Sequence, residues 1–542
     1  MEIPENRSDP PRISNRGDDP CGARTRACRV RRPPGIATSR DAARTSACAT
    51  TPGGAIVVSM NYWTVRLVFQ RGLALVYAIA FLVTLNQFGP LLGEHGLLPV
   101  PFFVKHVDFI QAPSLFFLWH TDLAFTLFGW LGLALSCAAL LGVSERYGWW
   151  LSATVWGLLW AIYLSFVNVG QTFYAFGWES MLLEAGFLAV FLGPLRTEPG
   201  PIVIWLLRWM QFRVMFGAGL IKMRGDPCWK ALTCLDEFYE SQPMPNPLSW
   251  YFHWMPPWMH HGGVLFNHFT ELVVPFCYFL PQPIASIAGG LTILFQLLLM
   301  LGGNLSFLNL FTIVLAVPMI DGRLLQRLVR VRPPEFAPAG RARQFVMIAL
   351  AVMVGLMSIP VVRNMASSQQ MMNASFNPLQ LVNTYGMFGS ITPSLDEVVV
   401  EGTDAAEPGP DAVWREYEFK AKPGDVMRAP PQIAPYHLRL DWLMWFAAMG
   451  RFSENPWFVN LTSKLLQGDR AVLGLMGRNP FPEHPPRYVR ALLYHYRFTT
   501  PEEHRRTGAW WHRELADNWF PAVSMDTPGY KAVLVEQGWM EK

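Results

Sequence analysis

Charge is what this sequence has least of. Asp, Glu, Lys and Arg make up 15% of its 542 residues, against about 25% in an average soluble chain. That scarcity excludes an ordinary water-soluble domain, and a net charge of only +4 excludes a basic nucleic-acid binder. Catalytic signatures are missing as well: no H-E-x-x-H, no P-loop, no G-x-S-x-G and no zinc-type C-x-x-C pair. No pattern calls for a cofactor or a metal. Residues 1–59 lack the apolar core of a signal peptide and nearly all large apolar side chains, and they hold ten Arg but no Lys. Such a stretch cannot offset its chain entropy by burial and reads as disordered. It reads equally as sequence ahead of a true start at Met60, or as an inside-facing basic anchor.

What is abundant is apolar. Hydrophobic residues reach 51% and aromatics 14%, with 22 Trp and 37 Phe. A helix crossing a bilayer needs about 20 apolar residues. Runs of that kind occupy 65–85, 123–143, 149–168, 201–221, 264–280, 283–301 and 344–362, and shorter ones lie at 180–194 and 306–320. The sequence therefore predicts a polytopic α-helical membrane protein of seven to nine spans over residues 60–362. The loop 321–343 carries Arg323, Arg327, Arg330, Arg332, Arg341 and Arg343 against Asp321 and Glu335. The positive-inside rule puts that loop in the cytoplasm. With nine spans, loop 222–263 and everything after 362 fall on the opposite side: the ER lumen in a eukaryote, the periplasm in a bacterium.

That side permits disulfides. Of seven cysteines, only Cys228 and Cys234 look like a pair, in a polar C-x5-C loop. A structural disulfide, a redox-active pair and, less readily, half a metal site all fit. Residues 363–542 have a different texture. Leu395–Thr403, Val413–Lys420 and Arg487–Phe498 read as strands, and Asp441–Met449 and Trp457–Gln467 as short helices. A mostly-β, sandwich-like extracytoplasmic domain is expected. Its tryptophans pack a core or meet apolar client surface.

Ionisable residues at membrane depth are costly and so are candidate sites. Glu179 and Glu184 flank one short span, and Arg208 and Arg213 lie in the next, as for an ion-paired core locking two helices. His268 and Glu271 stand at i, i+3 on one helix face, as a hydrogen-bonded pair or half a metal site. Lys222 ends the 201–221 run after Gly217-Ala218-Gly219. A desolvated lysine there serves as a base; an interfacial snorkelling lysine is the plainer alternative.

Long strings resemble the lipase maturation factor family. They include Gly170-Gln171-Thr172-Phe173-Tyr174-Ala175-Phe176-Gly177-Trp178-Glu179-Ser180, Phe216-Gly217-Ala218-Gly219-Leu220-Ile221-Lys222 and Asp226-Pro227-Cys228-Trp229. Gln242-Pro243-Met244-Pro245-Asn246-Pro247, Asn267-His268-Phe269-Thr270-Glu271-Leu272, Asn383-Thr384-Tyr385-Gly386 and Pro435-Tyr436-His437-Leu438-Arg439 belong to the same likeness, which runs from about residue 62 to about 525. The resemblance implies a multi-pass ER membrane protein that helps secreted lipases fold and assemble. Its partners would be the lipid bilayer and secreted clients such as lipases; its oligomeric state is open. A shorter stretch, Ala218-Gly219-Leu220-Ile221-Lys222 with Trp229, is similar to vitamin K-dependent carboxylases and their bacterial membrane relatives. That likeness implies a membrane enzyme with Lys222 as base. The topology is directly testable: a compartment reporter fused near Glu335 should read cytoplasm and one near Gln370 the opposite side, and equal readings would remove the last span.

Overall fold

In a bilayer every backbone polar group has to be satisfied within the chain, so long apolar runs become helices. A computed structural model describes residues 62–336 and 340–540. The 1–59 segment and its Cys21, Cys28 and Cys48 lie outside the described residues. Among the described residues, five helices are long and apolar enough to cross a membrane: Tyr62–Leu92, Asp122–Leu140, Trp149–Val169, Ile284–Gly302 and Arg341–Ala366. A sixth is added if Leu308–Met319 and Gly322–Val329, bent by 119° at their junction, count as one span.

Apolar length alone thus gives five to six spans rather than seven to nine, and the reasons are local. Helix Gly177–Ala189 has only 13 residues. Helix Pro201–Arg224 is long enough but carries Arg208, Arg213, Lys222 and Arg224. The 264–280 run breaks into helix Pro257–His268, a π-turn over Phe269–Val273 and a 3-10 turn over Val274–Phe279. Pro275 contributes to that break, since it has no N–H to donate. Helix Gly177–Ala189 is buried almost throughout, helix Pro201–Arg224 over more than half its length, and the 257–279 segment only in part, with Trp258, Leu265, Phe269, Val273 and Phe276 exposed.

The C-terminal strands are β1 Leu395–Thr403, β2 Arg415–Glu416, β3 Glu418–Phe419, β4 Met476–Arg478, β5 Tyr488–Phe498 and β6 Trp511–Val523. They form one antiparallel sheet of order β2-β1-β5-β6 and a small β3-β4 ribbon. Helices Arg439–Ala448 and Pro456–Leu466 pack on β1 and β5. The sheet is therefore covered by helices where a sandwich would place a second full sheet. Their apolar sides suit that role: Leu440, Leu443, Met444, Trp457, Phe458 and Leu461 are all buried. The expected 413–420 strand divides at Tyr417, whose N–H still bonds the Val400 carbonyl at 2.9 Å. Its first half joins β1 and its second half β4.

From Tyr62 onward the described residues form one compact unit. The segment after the last apolar helix lies backbone-to-backbone on the 201–224 helix and its exit. A Cβ on Gly217 would stand 2.3 Å from the Tyr385 carbonyl oxygen, and one on Gly225 only 1.9 Å from that of Gly389. Asp226 N–H bonds the same Gly389 oxygen at 3.0 Å. Gly225→Ala should therefore lower stability by about 1–3 kcal/mol through overpacking. Gly157→Ala, whose Cβ meets nothing within 4 Å, should be neutral or slightly stabilising. Thermal unfolding of the detergent-solubilised chain distinguishes them; equal midpoints would refute the close approach.

Candidate functional site: buried ion pairs where the C-terminal region meets the membrane helices

Three buried ion pairs organise the region where the expected site residues fall. In the first, Glu179 faces the Arg439 guanidinium at 2.8 Å, with both side chains fully buried. Tyr163 donates its hydroxyl to the other carboxylate oxygen. Arg439 also donates to the Phe173 carbonyl at 2.7 Å and lies over the Tyr174 ring at 3.5 Å. Gln87, on the first helix, clamps the arriving chain, accepting from Arg439 N–H at 2.9 Å and donating to the His437 carbonyl at 2.6 Å. His437 stands in a box of Phe176, Trp178 and Trp442. Neither of its ring nitrogens has a hydrogen-bond partner among the described residues. Burial, and then the Arg439 charge, hold this imidazole well below its ordinary pKa, so it is neutral.

In the second pair, Glu184 meets Arg213. Its carboxylate also accepts from the Tyr385 hydroxyl at 2.8 Å and the Asn383 N–H at 3.1 Å, while Arg213 donates to the Asn383 carbonyl at 2.7 Å. In the third, Lys222 donates to both Glu271 oxygens at 2.6 and 2.7 Å and to Asn267 at 3.1 Å. All three ammonium donors are thereby used. The Trp229 ring lies 5.0 Å from the lysine nitrogen, and its indole N–H bonds the Phe388 carbonyl at 3.0 Å. Lys222, Asn267 and Glu271 themselves line a cavity of about 60 Å³, whose other walls are largely apolar, Met215, Phe295 and Leu308 among them. It has room for a few waters.

The expected residues are thus brought together in an altered pattern. Glu184 and Arg213 do lock two neighbouring helices. Glu179 and Arg208 are not partners: Arg208 donates to the Pro318 and Tyr278 carbonyls, each at 3.0 Å. His268 does not meet Glu271; its Nε2 lies 2.9 Å from the Trp229 carbonyl. Cys228 and Cys234 are disulfide-bonded, with Cα atoms 4.8 Å apart. The bond closes the short helix Pro227–Ala231, which carries Trp229, onto the start of helix Cys234–Ser241. Sequence reasoning missed Arg439, Asn383, Tyr385 and Asp226, which accepts from Ile391 N–H at 2.6 Å. The signal available was charge balance: an arginine inside an apolar stretch of the tail needs a partner, and two glutamates at membrane depth needed two.

Loop 222–263 is tied down as well. Glu240 accepts from the Phe498 N–H at 2.6 Å, and Trp250 and Trp254 both donate to the Thr499 carbonyl. Lys422 pairs with buried Glu397 at 2.5 Å and donates to the Pro243 carbonyl at 3.0 Å.

A membrane protein with several apolar helices, whose C-terminal region supplies a cation to a carboxylate of the helical core, is the class these contacts define. Comparison with known proteins makes the assignment specific. The family profile described as "Lipase maturation factor transmembrane domain" matches residues 64–327, and "Lipase maturation factor C-terminal domain" matches 381–521. The chain is 43% identical to mouse Lipase maturation factor 1 over 86% of its own length and 88% of the relative's. It is 42% identical to the human protein of that name, over 88% and 91%. It is 29% identical to rat Lipase maturation factor 2, over 88% and 85%. No solved structure matches. The chain belongs to the lipase maturation factor family. The fainter carboxylase likeness is not supported: both profiles and these relatives are maturation factors, and Lys222 is fully engaged with Glu271 and Asn267.

Burial raises the Glu240 carboxyl to about 7, against the lowering effect of the Phe498 bond. Between its ordinary value near 4.5 and about 7, the folded protein holds a proton that the unfolded chain has released. The associated stability is complete below the unfolded value and is lost as pH rises through about 7. Glu240→Gln keeps an oxygen for the Phe498 N–H but cannot titrate. The wild type should therefore lose thermal stability relative to this variant between about pH 5 and about pH 8. Parallel pH profiles would refute the assignment.

Proposed function

We propose that this chain is a membrane-embedded, non-enzymatic assembly factor that holds secreted lipases while they mature. Family membership over most of the chain is the observation that carries the reading. The relatives' names supply the client class. In this reading the protein sits in the ER membrane, or in the plasma membrane of a bacterium. The helices Gly177–Ala189 and Pro201–Arg224 and the broken 257–279 segment are buried or interrupted crossings that bring the spans to nine, and the C-terminal domain is lumenal or periplasmic. Glu179, Glu184, Arg208, Arg213, His268 and Glu271 are framework, as is Lys222. The Cys228–Cys234 bond is structural and holds Trp229 against Lys222.

The working surface is then what the framework leaves outside. In loop 222–263, Tyr251, Trp254 and Trp258 are exposed, Trp258 by 72%. On the C-terminal domain an apolar groove of about 490 Å³ lies between helix Pro456–Leu466, the end of β6 and helix Pro528–Glu536, with Val459, Phe520, Tyr530 and Val533 among its walls. Apolar patches of this kind engage surfaces that a client buries on completing its fold.

Deleting residues 363–542 is a poor test, because it would strand Glu179 without Arg439 inside the core. Surface variants are better. In cells lacking endogenous maturation factors, Trp258→Ser and Val533→Asp should each reduce secreted lipase activity at least about fivefold at equal levels of the factor, as loss of one interface anchor does. Full lipase activity with both variants would sink this reading.

A further inference from the structure

Among the described residues, four arginines close after one apolar helix have no side-chain partner. Helix Gly322–Val329 begins after Asp321, whose carboxylate caps it by accepting from Arg323 N–H at 2.9 Å. It leaves the axis of Leu308–Met319 by 119°, so it does not continue in that helix's direction. Leu325 is buried in the main core, while Leu324, Leu328 and Val329 are exposed, Leu328 by 70%. Arg323, Arg327 and Arg330 follow at i, i+4 and i+7, on one face. With Arg332 they line a hollow of about 490 Å³. Among the described residues, none of these four guanidinium groups forms an ion pair or a side-chain hydrogen bond. Asp321 is used as the cap, and the nearby Glu335 is exposed.

Arg330 adds an independent observation. It closes the helix in the left-handed conformation, φ +55°, ψ +35°, its N–H bonded to the Gln326 carbonyl at 2.9 Å. Glycine or asparagine takes this C-terminal position freely, whereas an arginine is strained there. The fold at this point would accept Gly; the side chain that stands there brings charge.

We propose that this edge is a binding site for the phosphate headgroups of anionic phospholipids. The exposed leucines enter the acyl boundary and the guanidinium groups grip phosphate oxygens, which a planar fork does better than an ammonium. The side concerned is the one the arginine bias assigns to the cytoplasm, where anionic lipid is concentrated. The site is independent of lipase maturation and goes beyond it.

The test uses the full chain in detergent, with phosphatidylserine or phosphatidylinositol compared with phosphatidylcholine. Lipid retention is read by native mass spectrometry and stabilisation by thermal shift. Anionic lipid should be retained selectively and lost at high salt. Arg330→Gly should reduce retention about fivefold, the factor expected per surface arginine, without lowering the unfolding midpoint in phosphatidylcholine. Arg323→Gln with Arg327→Gln and Arg332→Gln should abolish selectivity. Arg330→Gly decides the matter if the triple variant fails to fold. Unchanged retention in Arg330→Gly, or equal retention of phosphatidylcholine by the wild type, would overturn the proposal. Inorganic phosphate or inositol hexakisphosphate raising the unfolding midpoint as much as phosphatidylinositol, at equal concentration, would overturn it too, as a soluble-anion site.

Discussion

A carboxylate buried among apolar helices keeps its charge cheaply only beside a cation, and the cation that meets Glu179 belongs to the C-terminal region. Removing either member of such a pair leaves an uncompensated charge, which is far more damaging than the pair is stabilising. Glu179–Arg439 therefore fixes more than its own geometry. Arg439 cannot reach Glu179 unless Gln87 holds the backbone of residues 437 and 439 and the ring of Tyr174 lies beneath the guanidinium. The Glu184–Arg213 pair repeats the arrangement with the linker, which supplies Tyr385 and Asn383. Hydrogen-bonded chains of this kind act cooperatively in a low dielectric, so the helical part and the tail stand or fall together.

The aromatic load divides along the same line. At the junction Phe176, Trp178 and Trp442 enclose His437, and Trp457 meets Phe173 edge-on. These rings bury large apolar areas where helices from the two regions meet. The rings of Tyr251 and Trp258 do the opposite and remain exposed. Burial has consumed the first group, and only the second is free to meet another molecule.

The sequence was most legible where one physical signal dominated. Leu395–Thr403, with its run of valines, formed the strand expected of it, and Asp441–Met449 and Trp457–Gln467 became helices to within a few residues. Strand β6 escaped because Arg513, Glu514, Asp517 and Asn518 give it no apolar alternation to signal a strand. It is an edge strand whose middle residues face solvent, and polarity there blunts the edge. The Val413–Lys420 strand was visible, but its division between two sheets was not, since register depends on partners far away in sequence. At the site, charge at membrane depth singled out Glu179, Glu184, Arg208, Arg213 and Lys222. Which partner each takes depends on tertiary approach: Arg208 found carbonyls and Glu179 found the tail. Cys228 and Cys234 were pairable from spacing and compartment; that they would hold an indole against a lysine required coordinates.

The order of the chain gives the Glu179–Arg439 contact a temporal meaning. Glu179 emerges from the ribosome well before Arg439, on the order of tens of seconds at ordinary synthesis rates. Throughout that interval the helix Gly177–Ala189 carries a carboxyl with no cation to meet, although its neighbours have already entered the bilayer. The membrane bundle is therefore unfinished while the polypeptide is still being made. It closes only when the last part of the protein has been made and has docked back onto it. The chain is thus completed from its own end backwards.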